Sequence, residues 1–185
     1  MRFSFVAILA LIGAGESCAQ SFFNRSSFTA AATALNSLSG YKVDSVDPGA
    51  GFSFQYGFRL NRYLAAEAGV QKAWPRDVTG CSKFGCTFER ASATFTPFGL
   101  RGILPLKQDR VQLTAGFGGA YVFRSHVDAY DAEQWLAQAS VGFSVALTRE
   151  GSIRIGPSVR FYSDLGRPTQ RWAATSLEFT WAPRF

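Results

Sequence analysis

Histidine is almost missing: His126 is the only one in 185 residues. No metal site can draw on a second imidazole, and a hydrolytic triad would have to be built on this one residue. Its surroundings, Arg124-Ser125-His126-Val127-Asp128, offer Ser125, Asp128 and Asp131 but no assembled nucleophile, base and orienting acid. A solvated loop histidine is the expected reading, and catalysis is not expected. The chain also lacks a phosphate loop, a dinucleotide fingerprint and any cluster of ligands with metal spacing. It has no internal run of the roughly 18 apolar residues that a membrane-crossing helix needs. Charge is sparse too, at 17% of residues, with a net value of +6. Basic residues stand singly rather than in patches, which argues against nucleic acid and is compatible with a phosphate-rich lipid surface.

Three cysteines are present. Cys18 lies in an N-terminal stretch with one early cation, Arg2, then the apolar run Phe5 to Ile12 and the small residues Ser17-Cys18-Ala19. That is the pattern of an export signal cleaved before Gln20, so residues 1–19 are expected to be a signal peptide and 20–185 one mature domain. Gly15-Glu16-Ser17 does not suit lipid attachment at Cys18. In an exported protein the remaining pair, Cys81 and Cys86, is expected to form a disulfide. Neither a second metal ligand nor Cys-x-x-Cys spacing supports a metal or redox role for it.

The mature chain is rich in what those absences leave room for, with 18 Gly and 18 Phe. Strict two-residue alternation recurs along it, the signature of strands with two unlike faces. Phe52, Phe54, Tyr56, Phe58 and Leu60 oppose Ser53, Gln55, Gly57 and Arg59. After the turn Asn61-Arg62, Leu64, Ala66, Ala68 and Val70 oppose Ala65, Glu67, Gly69 and Gln71. Residues 91–104 form a further strand whose apolar face changes parity, and Thr96-Pro97 is the expected bulge. The clearest strand sets Val111, Leu113, Ala115, Phe117, Gly119, Tyr121 and Phe123 against Gln112 to Val122. Trp135 to Leu147, Ile153 to Phe161 and Ala173 to Phe185 continue the pattern. Ser21 to Leu38 fits both strand and helical spacing and is read as the first strand. Trp74 to Arg90 is the longest non-alternating stretch and is expected to be a loop.

These segments make eight strands, in which tight turns alternate with longer loops. The expectation is an all-β, eight-stranded antiparallel up-and-down transmembrane β-barrel. A soluble calyx would alternate too, with its apolar side inward. Residue size decides against that: so narrow a barrel is just wide enough for its own side chains, and a phenylalanine-rich lining would leave little cavity. Gly, Ser, Ala, Thr and Gln therefore belong inside and the phenylalanines in lipid. Arg59, Glu67, Arg154, Arg160 and Glu178 then fall inside, and as buried charges they require partners. A lumen-filling network is expected, with a gated ion path as the alternative. Tyr63, Trp74, Tyr121, Trp135, Trp172, Trp181 and Phe185 are the expected interfacial aromatic girdles.

The terminal stripe Leu177, Phe179, Trp181 and Phe185 resembles the C-terminal signal that the barrel-assembly machinery of the bacterial outer membrane reads, although Pro183 departs from the usual bulky run. The hairpin Tyr56-Gly57-Phe58-Arg59-Leu60-Asn61-Arg62-Tyr63-Leu64-Ala65-Ala66-Glu67-Ala68-Gly69 is similar to those of the small OmpA/OmpX-like outer-membrane barrels. The resemblance implies residence in the outer membrane of a Gram-negative-type bacterium, contact with its lipid, no cofactor, and a role in envelope integrity or surface interaction. The loop 74–90 is the expected place for a surface partner. A small ion channel is the alternative. A lipid-modifying enzyme is less favoured, because Asp128 stands where the outer-membrane lipid A deacylases carry the serine of His-x-Ser.

Overall fold

A computed structural model of the chain describes residues 22–38, 47–82, 85–90, 92–125, 133–164 and 171–183. The readings of the signal peptide, of His126 with Asp128 and Asp131, and of Phe185 lie outside the described residues. Nine strands follow a single helical turn at 22–25: β1 (Ser26–Ser37), β2 (Asp47–Asn61), β3 (Leu64–Ser82), β4 (Gly85–Arg90), β5 (Ser92–Leu106), β6 (Val111–Ser125), β7 (Glu133–Ala146), β8 (Ile153–Ser163) and β9 (Arg171–Trp181). Every pairing is antiparallel, and β1 joins both β2 and β9. The circuit β1-β2-β3-β5-β6-β7-β8-β9 thus closes into an eight-stranded up-and-down barrel. Closure leaves no free edge among the eight. Each of the eight has at least 11 residues, where a tilted crossing strand needs about 9–11.

The ambiguous first segment is a strand. Its register settles why: Phe28 to Leu35 pairs on one side with Gly49 to Tyr56 and on the other with Ala174 to Trp181. Two ladders satisfy the backbone of an alanine-rich stretch whose local preference is helical, so tertiary pairing overrides propensity.

Two expectations are corrected. Residues 74–90 are not a loop: β3 continues to Ser82 and pairs with β4, from Arg76 opposite Arg90 to Ser82 opposite Gly85. β4 adds nothing to barrel closure, and β3 with β4 forms a hairpin continuing from the loop end of the wall. Nor is there a bulge at Thr96-Pro97. The ladder with β6 runs unbroken from Ser92 opposite Ser125 to Leu106 opposite Val111, with Thr96 opposite Tyr121 and Pro97 opposite Ala120. Parity is constant along β5, so Ala93, Phe95, Pro97, Gly99, Arg101 and Ile103 all face inward.

Side-chain placement follows the size argument. Ser53, Gln55, Gln71, Gln112, Thr29 and Thr33 are buried in the lumen, while Phe54, Phe117, Leu177 and Phe179 are exposed on the outer wall. Phe117 is 66% exposed and Phe54 55%. So much apolar surface around a closed wall is unlike a soluble calyx and suits a lipid solvent.

The turns at one end are tight and locally stabilised. The Tyr63 amide donates to Asn61 Oδ1 at 2.8 Å. Gly151, at φ +73°, closes the β7–β8 turn by donating to the Thr148 carbonyl at 3.1 Å. The β5–β6 turn places Lys107, Gln108 and Asp109 consecutively at positive φ, 45°, 56° and 64°.

Candidate functional site

The lumen is the candidate site, because the alternation sends every functional polar side chain there. It is layered. At the loop end Leu35, Ala73, Ala93, Phe95, Ala120, Val122, Leu136, Tyr162 and Ala174 form one buried cluster, with Trp172 packed against it. Phe95 stacks on Tyr162 at 4.6 Å between ring centroids and meets Trp172 edge-on at 6.5 Å. The Tyr162 hydroxyl donates to Gln71 Oε1 at 2.9 Å. Arg160, 6% exposed, sits in the same half, within hydrogen-bonding reach of Tyr162. This layer is a buried, largely aromatic and aliphatic stratum anchored by the Tyr162–Gln71 hydrogen bond.

Below it, Arg101 from β5 joins two acids. Its Nε donates to Glu67 Oε1 of β3 at 2.6 Å, and its Nη1 lies 3.7 Å from Glu178 Oε2 of β9. Arg101 Nη2 also donates to Gln55 Oε1 at 3.2 Å, and Ser158 donates to Glu178 Oε1 at 2.6 Å. One guanidinium thus ties together strands from across the barrel. Such a fork has the donors to satisfy several acceptors at once. Beside the triad is a cavity of about 50 Å³ lined by polar groups, large enough to hold ordered water.

At the turn end, Arg59 and Arg154 face inward. Arg154 Nη2 donates to the Asp109 backbone carbonyl in the β5–β6 turn. Beyond them opens a vestibule of about 790 Å³ between the three turns.

The expected network is therefore only partly assembled. Glu67 and Glu178 come together, but through Arg101, which the sequence reading did not select. Arg154 and Arg160 are inward but do not reach these carboxylates: one belongs to the turn end and the other to the aromatic layer. Arg59 lies with Arg154. Among the girdle residues, Tyr63, Trp74 and Trp135 are exposed on the outer wall. Tyr121 packs on Trp135 at 5.0 Å and Trp181 on Phe28 at 5.8 Å. Trp172 is a correction: it lies opposite Tyr162 in the β8–β9 ladder and shares its inward face. It packs against the inner aromatic layer instead of joining the girdle.

Closed circuit, inward polar residues and outward apolar belt together decide the comparison with solved structures. The chain has the fold of the small eight-stranded outer-membrane β-barrels. Ail, the attachment invasion locus protein of Yersinia pestis, superposes with a TM-score of 0.54 at 12% identity, over 84% of this chain and 95% of that one. OprG from Pseudomonas aeruginosa gives 0.56 at 8% identity, over 85% and 96%. Neisserial surface protein A gives 0.54 at 15%, over 84% and 94%. No protein-family model matches the chain. No curated protein matches it either. For this small outer-membrane-type barrel the likeness is therefore one of architecture.

Proposed function

We propose that the chain is an integral outer-membrane barrel with a sealed lumen, serving as an anchor that presents the β3–β4 hairpin at the cell surface. The observation that carries this reading is the pair of stacked closures, the Phe95–Tyr162–Trp172 layer and the Glu67–Arg101–Glu178 triad. An ion crossing the lumen would have to displace a close-packed aromatic layer and a buried salt-bridge network in turn. A wall this well filled is a support, and what it supports is the extension of β3.

The hairpin suits surface contact because it projects a paired ladder past the rim on rigid strands that continue from the wall. Its register favours the disulfide: Cys81 and Cys86 are direct cross-strand partners. Such pairs bring Cα atoms to about 4.5–5.5 Å, inside the range a disulfide spans. Contact with the assembly machinery rests on Leu177 and Phe179, outward and exposed on β9. That Ail, of the same fold, is an attachment invasion locus protein is compatible with a surface role here.

Two assays test this. Purified barrel in planar bilayers is expected to leave the membrane resistance unchanged; stable unitary currents abolished by Glu67→Gln would replace the anchor reading with a channel. Trypsin added to intact cells is expected to cut after Lys83, giving fragments that stay joined until a reductant is added. Protection of Lys83 in intact cells, with cleavage after lysis, would place the hairpin on the wrong side.

A further inference from the structure

The turn-end vestibule is a cationic chamber that neither the seal nor the hairpin uses. Arg25, Arg59, Arg62, Arg149 and Arg154 line it. Among the described residues, the acids on the same wall are Asp109 and Glu150. Asp109 is already shared, since its carboxylate lies 3.7 Å from Arg62 Nη2 and its backbone carbonyl accepts from Arg154.

Arg154 is the informative member. It is 4% exposed, yet its buried Nε and Nη1 have no hydrogen-bond acceptor among the described residues. Arg154 lines both the vestibule and the lumen cavity, and the one N–H on its buried Nε and the two on its buried Nη1 are left without an acceptor. Arg59 lies within Coulombic range of Arg154 and repels it, and the one Asp109 carboxylate is left to offset charge on both arginines. A buried cation with orphan donors is costly, and the cost is removed when an anion supplies both charge and acceptors. Arg160, the other deeply buried arginine, sits at the far end of β8 and does not line this chamber.

We propose that the vestibule is a phosphate-binding site, in which Arg154 holds a phosphate group from inside the barrel mouth and Arg59 completes its charge. Phosphate fits better than a simple halide because it carries several acceptor oxygens for a guanidinium fork, and arginine is the side chain suited to it. The chamber, at about 790 Å³, admits either a free phosphate or the headgroup of a phospholipid. The inference is independent of the anchor reading, since it concerns the opposite end of the barrel from the hairpin.

The test uses the full folded chain exchanged into phosphate-free, zwitterionic detergent. Thermal unfolding is followed while inorganic phosphate is added at constant ionic strength set with chloride. In parallel, the protein is placed in nanodiscs of phosphatidylcholine with or without phosphatidylglycerol, and lipid retained through delipidation is quantified. Saturable stabilisation by inorganic phosphate, with affinity at least tenfold weaker in Arg154→Met and retained in Arg160→Met, supports a free-phosphate site. Selective retention of phosphatidylglycerol that Arg154→Met abolishes supports a headgroup site. Arg154→Met also leaves the Asp109 carbonyl without its donor, so each variant is read as the shift that phosphate produces from its own phosphate-free midpoint, which separates lost binding from a folding defect. Equal responses to phosphate and chloride, or responses unchanged by Arg154→Met in both arms, overturn the proposal.

Discussion

Replacing Arg101 by methionine removes the one cation that two acids share. The side chains of Glu67, Arg101 and Glu178 are each no more than 15% exposed. At an effective dielectric of about 20, charges 2.6 and 3.7 Å apart attract by about 6 and about 4.5 kcal/mol, and the cost of desolvating three groups offsets most of that sum. The attraction is therefore a poor measure of stability. What Arg101→Met exposes is the penalty: two carboxylates left buried without a counter-charge, and Gln55 Oε1 without its donor. Breaking a buried pair from one side costs about 3–5 kcal/mol. The triple variant Glu67→Gln, Arg101→Met, Glu178→Gln strands no charge and is expected to cost under about 1.5 kcal/mol. Urea unfolding in lipid vesicles, read by the shift between folded and unfolded mobility on cold gels, gives both values. An Arg101→Met barrel within about 1 kcal/mol of wild type, or a triple variant as unstable as the single, would refute the assignment of the triad as the lumen's coupled electrostatic core.

Four further outcomes follow from other parts of the barrel. Phe95→Ala empties the centre of the aromatic seal and is expected to cost about 3–5 kcal/mol in the same assay; Tyr162→Phe leaves Gln71 Oε1 without its donor and should cost about 1–2 kcal/mol. Gly156→Ala would bring its Cβ to 1.8 Å from the Phe143 carbonyl oxygen, so the ladder must shift, and a loss of about 1–3 kcal/mol is expected in the same urea assay. Gln108→Gly relieves a side chain held at φ 56° and is expected to stabilise the barrel by up to about 1 kcal/mol, measurable as a raised urea midpoint.

The architecture was legible because a lipid-facing wall forces bulky and small residues onto opposite faces, and strands β2, β3, β6, β7, β8 and β9 carry that imprint residue by residue. It failed where the solvent changes. Above the rim, Trp74 to Arg90 needs no apolar stripe, so a strand there leaves no periodic trace and reads as loop. Inside the loop end, the lumen is filled by Phe95, Tyr162 and Trp172, so large aromatic residues stop marking the outer face. That inversion produced the apparent parity change in β5 and the unnecessary bulge. Had constant parity been imposed from Leu100 back to Ala93, Arg101 would have fallen on the face of Glu67 and Glu178, and Phe95 inside. Trp172 carried the same signal, because Ala174, Ser176 and Glu178 share its face. Which arginine meets which acid was not legible, since pairing depends on stagger around the barrel and not on position within one strand.

Gel mobility of the membrane-extracted protein, with and without boiling in detergent, tests the central claim most directly. A sealed transmembrane barrel is expected to fractionate with the outer membrane and to run as a compact fast form that slows on heating. Recovery as a soluble protein with no heat-dependent mobility shift would contradict the inside-out arrangement on which the lumen assignments depend.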